Sequence, residues 1–502
     1  MVLSMPPWHI WPLAALGFSL FYTLFAGTKT SRQAALCGWL FGFGYFVFGL
    51  SWIANALLIP GNTYAWAWPL AAAGLPALLA FFPACAFGLT RKIVNAPDSL
   101  SGFLFFVAAF CIFEWLRGHI FTGFPWNLAG YTWGGTLSMA QICALIGIYG
   151  LTFLSVLWFT LPGFLLVGNP SKRARIILIA LTVVTAGGAF IYGAHRLSAH
   201  PTLLRDDILI YLVQPNIPEE HKWNPQKTAD NFHKLLKLSD TGPGSEGKTT
   251  LIVWPETAVS DYLLANKKAS AALHDMLSRY KDPVYILAGI LRHEDGKNAD
   301  KKDTRYFNSL VVFDSNALPV ATYDKSHLVP FGEYIPFQKF TLLKPIVNFS
   351  GFVQGPGPQT LRIPGIPSFS PLVCYEIIFP GAVVNSHDRP DFIVNVTNDA
   401  WYGDSAGPRQ HFAMTRFRAI ETGIPVIRSA NTGLSGATDA YGRILYISRL
   451  FIDDNYGFNL PQGLESQTVY SSYGDVLFFL FVSLVAIVAT VSAAGNKRAI
   501  RL

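Results

Sequence analysis

Seven stretches of this chain are long and apolar enough to cross a bilayer, and their spacing is uneven. Six fall within the first 195 residues, at roughly 7–26, 34–56, 65–89, 101–116, 138–167 and 176–193, and the seventh lies at 474–494. A helix needs about 20 mostly apolar residues to span the hydrocarbon core. Backbone polar groups find no water there, so each stretch must be helical, and interior Gly and Pro are tolerated. Charged residues make up only 14% of the 502 and hydrophobic ones 51%, whereas an ordinary soluble domain carries about a quarter charged. The long segment between the sixth and seventh stretches is the exception, with room for a core of its own.

The loops predict an orientation. Lys29 and Arg32, Arg91 and Lys92, Lys172, Arg173 and Arg175, and finally Lys497, Arg498 and Arg501 all fall in alternate connections or the C-terminal tail. The intervening loops are nearly free of basic residues: 57–64 has none and 117–137 only Arg117. Positive residues favour the cytoplasmic side, so the segment 195–472 and the uncharged "MVLSMPP" are expected on the opposite side. Much of the net charge of +7 sits in these inner loops, which argues against a nucleic-acid surface. The first stretch lacks the basic flank and small-residue site of a cleavable signal.

Cysteine usage follows the same division. Cys37, Cys85, Cys111 and Cys143 lie within the apolar stretches, and Cys374 is the only cysteine between them and the seventh. Outside the bacterial cytoplasm the compartment is oxidising, yet Cys374 has no partner in its own domain. It is either an inert core thiol or a reactive one.

Segment 205–470 alternates short β-rich runs with helical patterns. The runs are 208–217, 249–256, 283–290, 309–314, 370–376, 391–399 and 425–433, and the helical patterns are 228–239, 267–280 and 407–422. Runs apolar on both faces predict sheets buried on both sides, and the alternation predicts an α/β domain. The division expected is 1–195 for six spans, 205–470 for the catalytic domain and 474–502 for the last span and basic tail.

Chemistry gathers at the ends of α/β strands. "IVWPETA" carries Glu256, "YDKSHLVPFGEYIP" carries Lys325 and "LVCYE" carries Cys374. A thiol attacks as thiolate, a carboxylate can take its proton, and a lysine can stabilise an oxyanion. Singly, each has a plainer explanation: a turn cap, a solvated surface lysine, a core thiol. Together they make a complete set for acyl transfer.

The order "WPE…DKSHLVPFGE…CYE", then "NDAWYG" (398–403) and "RFRAIETGIPVIRSANTG" (416–433), resembles the nitrilase superfamily. The flanking membrane stretches, with "LRGHIFTGFPWNLAGY" (116–131), narrow the resemblance to the apolipoprotein N-acyltransferases of the bacterial inner membrane. It implies a nitrilase-like αββα sandwich outside the cytoplasm, joined to a polytopic α-helical membrane bundle, with Glu256, Lys325 and Cys374 as the triad. It further implies supporting roles for Trp223, Glu333, Tyr375 and Glu376. Glu333 would hold the base or the lysine, and Tyr375 with its backbone N–H would shape the oxyanion site. That family has eight spans and a cytoplasmic N-terminus. Seven are counted here, and "PPWHIWPLAALGFSLFY" resembles the family's second.

The implied reaction has two halves. Cys374 takes the sn-1 acyl chain of a phosphatidylethanolamine-like phospholipid as a thioester, and the α-amino group of a diacylated apolipoprotein then accepts it. The implied partners are these two substrates and the lipid bilayer; no cofactor is implied. With no Cys/His cluster at ligand spacing, no metal is expected, and His327 and His411 are read as structural or orienting. Arg416, Arg418 and Glu421 are read as ion-pairing on one helix. Segment 119–133 would sit at the membrane interface, and 340–352 is either an arm dipping into lipid or a packed surface loop. Two other readings remain: a membrane-tethered nitrilase-type amidase, which needs no lipid-facing mouth, and a non-enzymatic scaffold, which predicts a missing triad member.

Overall fold

A computed structural model describes residues 1–222, 224–242, 247–295, 304–334 and 351–499, with side chains up to residue 493. Trp223 and the greater part of segment 340–352 therefore lie outside the described residues.

The first part of the chain is helical: α1 (Pro12–Ala26), α2 (Ser31–Leu50), α3 (Trp68–Leu79), α4 (Phe81–Ile93), α5 (Leu100–His119), α6 (Cys143–Val167) and α7 (Lys172–Ala199). Short 3-10 segments extend α2 to Leu58 and begin α3 at Ala65. Among the described residues six helices are long and apolar enough to cross a membrane: Ser31–Leu58, Ala65–Ile93, α5, α6, α7 and Val476–Ala493 near the C-terminus. The first expected span is shorter, a 15-residue helix. Pro12 sits at its start, where a missing N–H costs nothing, and residues before it form turns.

Two expected spans differ for physical reasons. The fourth continues past Glu114 and Arg117 because these two pair at 2.7 Å, one turn apart and both buried. The fifth breaks at Gly147, at φ 65 and ψ 179. A Cβ there would lie 2.2 Å from the Tyr470 ring, so only glycine fits both the backbone and the neighbour.

Beyond α7 the chain builds two sheets. One contains β1 (Leu204–Gln214), β2 (Thr249–Ser260), β3 (Val284–Glu294), β4 (Arg305–Phe313), β5 (Pro319–Asp324) and β11 (Asp454–Pro461), in the order β11-β1-β2-β3-β4-β5. The other contains β6 (Phe369–Val373), β7 (Phe392–Thr397), β8 (Val426–Ala430), β9 (Gly436–Thr438) and β10 (Ile444–Ile447), in the order β10-β9-β8-β7-β6. The central strands β1–β2–β3 and β6–β7–β8 run parallel. Ile210, Val253 and Val312 of the first sheet and Phe369, Val394 and Ile427 of the second belong to one buried cluster between the sheets.

Each sheet has a helical cover on its other face. Helices α8 (Thr228–Ser239) and α9 (Lys267–Leu277) pack Leu235, Leu273 and Met276 against Ile252, Trp254 and Ile286. Helix α10 (Ala406–Thr422) covers the second sheet, and its Phe417 and Ile420 share one buried cluster with Tyr131, Ile148 and Phe478 of the membrane part. The layers are helix, sheet, sheet, helix, with the fourth layer resting on the bundle.

Candidate active site

Glu256 does not end its strand, contrary to expectation; it lies within β2, in a break of register. Trp254 pairs with Ala288 and Val259 with Ile290, so residues 255–258 bulge opposite Gly289 alone. A Cβ on Gly289 would lie 2.3 Å from the Pro255 carbonyl. The glycine thus lets the bulge close over β3, and the bulge turns Glu256 out of the ladder.

Lys325 follows β5 directly, and its backbone is held on both sides. Its N–H donates to the Asn308 carbonyl and its own carbonyl accepts from Gly355, each at 2.8 Å. Cys374 comes directly after β6, which ends at Val373, short of the expected 370–376 run. Cys374 opens a 3-10 turn, Cys374–Ile378, at φ 53. A non-glycine residue in this region is strained, and such strain gathers at functional sites. It places the thiol at a sharp elbow between strand and turn.

These three side chains are brought together and are buried: Lys325 is 1% exposed, Glu256 and Cys374 7% each. The Lys325 ammonium lies 3.7 Å from Glu256 Oε1 and donates to Glu333 Oε1 at 2.8 Å. Asn308 joins the two acids, with Nδ2 donating to Glu256 Oε1 at 2.8 Å and to Glu333 Oε1 at 2.9 Å. The other oxygens accept backbone N–H groups, Glu256 Oε2 from Asn398 and Glu333 Oε2 from Val329, both at 2.8 Å. Neither carboxylate can turn without losing a buried partner.

Burial lowers the affinity of Lys325 for its proton, but Glu333 and Glu256 outweigh it and hold the ammonium charged. Burial pushes the Cys374 thiol up and Glu256 adds to this, against the opposing pull of Lys325. The site at rest therefore holds a neutral thiol beside an ion network. Such a thiol needs a base at hand to become a nucleophile.

Glu376 and Tyr375 act around the elbow. Glu376 Oε1 accepts from Tyr323 Oη, Ser326 Oγ and the N–H groups of Ser326 and His327 at 2.7–3.0 Å, and Oε2 accepts from Val373 N–H at 2.7 Å. One carboxylate thus clamps the lysine loop to the cysteine elbow. Tyr375 points toward the membrane part, donating to the Gly123 carbonyl at 3.1 Å. His327 stacks on Phe379 at 3.8 Å, and burial, aided by Lys325, pushes it down to about 4. His411 lies behind the elbow, with one ring nitrogen 2.9 Å from Asp399 and the other 3.3 Å from the Cys374 carbonyl. Among the described residues no group of three His, Cys, Asp or Glu side chains is disposed to hold a metal ion.

Asn308, Asn398 and Thr397 were not singled out by sequence. One signal was available for Asn308: an asparagine inside "RYFNSLVVF" stands where strands disfavour it.

Two family models match the chain: the apolipoprotein N-acyltransferase N-terminal domain over residues 1–161 and carbon-nitrogen hydrolase over 209–451. An apolipoprotein N-acyltransferase of Rhodopseudomonas palustris is 38% identical over 496 residues, covering 96% of this chain and 91% of its own. The chain belongs to the apolipoprotein N-acyltransferase family. The Bradyrhizobium diazoefficiens member is 38% identical, with 97% of this chain and 92% of its own covered. The Brucella melitensis member is 39% identical, covering 90% and 87%. With six apolar helices of spanning length, this member is a multi-pass membrane protein, and the α/β sandwich is its carbon-nitrogen hydrolase domain.

Proposed function

We propose that this protein N-acylates the N-terminal diacylglyceryl-cysteine of apolipoproteins, with Cys374 carrying the acyl chain between two substrates. The observation that carries the reading is the buried network of Lys325 with Glu256 and Glu333 beside a thiol on a strained elbow. In the first half-reaction, Glu256 takes the thiol proton and the thiolate attacks the sn-1 ester carbonyl of a phosphatidylethanolamine-like phospholipid. Lys325, with the backbone N–H of Tyr375, stabilises the oxyanion. The proton passes to the departing lysophospholipid alkoxide, and a thioester remains. In the second, the α-amino group attacks the thioester, its proton leaves through Glu256, and the amide forms as Cys374 is released.

Glu333 and Asn308 hold the lysine and the base; Glu376 sets the distance between the lysine loop and the elbow. We place the protein in the inner membrane with the sandwich on the periplasmic side, a reading supported by Lys29, Arg32, Arg91 and Lys92 clustering at or beside alternate connections. The domain division at 195–205 and 470–474 belongs to the same proposal. So does a substrate-side role for Trp223. Both substrates are lipid-anchored, which suits a catalytic domain whose elbow turn shares a buried core with the bundle.

The test is a trapped acyl-enzyme. Purified protein is incubated with acyl-labelled phosphatidylethanolamine, with Cys374→Ala and Cys374→Ser as controls. Label is expected on the parent and absent from Cys374→Ala; equal label on both overturns the nucleophile. Adding a diacylated lipopeptide should move the label to the peptide. Release as free fatty acid alone would favour the amidase-type hydrolase.

A further inference from the structure

The register of the second sheet places a hydroxyl beside the thiol. Val373 of β6 pairs with Val396 of β7, so the next residues lie side by side, Cys374 just past the end of β6 and Thr397 as the last residue of β7. Thr397 is fully buried. Its Oγ1 lies 3.3 Å from Cys374 Sγ and 3.1 Å from Asp399 Oδ1. A hydroxyl has one proton, so it can serve only one of these acceptors at a time.

Which acceptor wins depends on the charge on sulfur. A neutral thiol is a weak acceptor, and the proton then belongs to the Asp399 carboxylate. A thiolate carries a full charge, and hydrogen bonds to ions are about twice as strong as neutral ones. Asp399 can release the hydroxyl because it keeps two other partners, Arg428 at 2.8 Å and the His411 ring at 2.9 Å. Burial disfavours its charge, but Arg428 and His411 more than offset this and hold its carboxyl at about 2. The aspartate therefore stays an anion whichever way the hydroxyl points.

We propose that Thr397 is a switching hydrogen-bond donor, turning from Asp399 to the Cys374 sulfur each time that sulfur becomes a thiolate. The inference rests on reading Cys374 as the nucleophile. During attack, Sγ–H loses its proton to Glu256, the S–C bond forms and the ester C–O bond breaks. Thr397 shares the sulfur charge and keeps its own proton. In the thioester the sulfur is neutral and the hydroxyl returns to Asp399. When the amine displaces the thioester, the N–C bond forms, the C–S bond breaks and the departing thiolate finds its donor again. One residue thus assists thiolate formation and thiolate departure.

The experiment reads the sulfur directly. Full-length parent, Thr397→Val, Thr397→Ala and Thr397→Ser in detergent are alkylated with iodoacetamide between about pH 6 and 11, and the Cys374 peptide is followed by mass spectrometry. The titratable groups around Cys374 include Glu256, Lys325, Asp399, Tyr402 and His411, and all remain in each variant. Losing a hydrogen bond to a charged group predicts a midpoint raised by about one pH unit or more in Val and Ala, with phospholipid-driven acylation about 10- to 100-fold slower at unchanged KM. Ser is expected to bring the midpoint back. A parent-like midpoint in both Val and Ala, or a Ser midpoint as high as theirs, overturns the proposal; Ala keeps the test open if Val fails to fold. If acyl label persists on Cys374→Ala, the nucleophile reading is what has failed. If Cys374→Ala takes no label while Val and Ala titrate like the parent, only the role of Thr397 falls.

Discussion

Helices α9 and α10 occupy equivalent layers on opposite faces of the sandwich, and they are built by different rules. In α9 only Ala269, Leu273, Met276 and Leu277 are buried, the spacing of one apolar stripe facing a sheet. In α10 only Ala406, Arg409 and Arg416 escape burial, and the residues covered include Gln410, His411, Arg418 and Glu421. Burying so many polar groups is costly unless each has a partner, and for α10 several of the partners come from elsewhere. Gln410 accepts from Trp126 Nε1 at 2.8 Å, and Glu421 Oε1 accepts from the Ile148 N–H at 2.8 Å. That N–H follows the Gly147 break in α6. The catalytic domain thus satisfies a membrane helix where that helix restarts. A helix with polar residues all round is here a helix between two bodies.

The sharpest way to break this contrast is Arg418→Ala. Arg418 and Glu421 pair at 2.9 Å with both side chains buried, so removing one strands the other's charge. The expected loss is about 3–5 kcal/mol, read as a large fall in the thermal midpoint of the full-length protein in detergent. A midpoint close to the parent's would mean that water reaches the seam.

Acid should probe the same face through His327. Its free-chain value is 6.5, and in the fold burial and Lys325 push it down to about 4. Between these values the unfolded chain binds a proton that the folded one refuses, so stability is full above about pH 6.5 and falls as the pH drops toward 4. The difference corresponds to at most about 3 kcal/mol, less where solvent screens the partly exposed ring. Denaturant midpoints of parent and His327→Phe across this range should show the slope flattened in the variant. Equal slopes would exclude His327 as its source.

The two faces also differ in how far sequence could read them. Helical patterns and buried runs were enough to place α8, α9, α10 and the principal strands within a few residues, because these signals are local. Glu256, Lys325 and Cys374 could be singled out as candidates because they stand in long distinctive words. What joins them was not legible. Asn308 meets Glu256 across 52 positions and Asn398 meets it across 142, and nothing local marks such contacts. The positive φ at Cys374 was hidden for a similar reason: "LVCYE" has β-rich composition, and the partners that hold the elbow, the Glu376 clamp with its long-range donors among them, lie far away in sequence. The complete burial of α10 depends on the bundle, so no stripe on α10 itself could reveal it.

A milder test moves to the outer face. The Asn266 side chain caps α9, accepting from the N–H groups of Lys268 and Ala269 at 2.9 and 3.5 Å. Asn266→Ala should cost about 1 kcal/mol, a small fall in the same midpoint with acyl transfer unchanged. A larger loss would mean that α9 is held by its cap more than by its stripe.

The smallest effect is expected just beyond α9, and it completes the contrast with Arg418. Arg279 pairs with Asp275 at 2.7 Å and Asp240 at 2.5 Å, as short as any pair on the inner face. All three side chains are open to water, however, with Arg279 54% exposed. Water solvates each charge when the other is removed, and ordering long side chains offsets much of the attraction. Arg279→Ala should therefore leave the midpoint within the scatter of repeated melts, and added salt should not separate variant from parent. Two arginines with similar pair distances would then differ only in what surrounds them. A clear loss in Arg279→Ala would show that pair geometry, and not exclusion of water, separates the two faces.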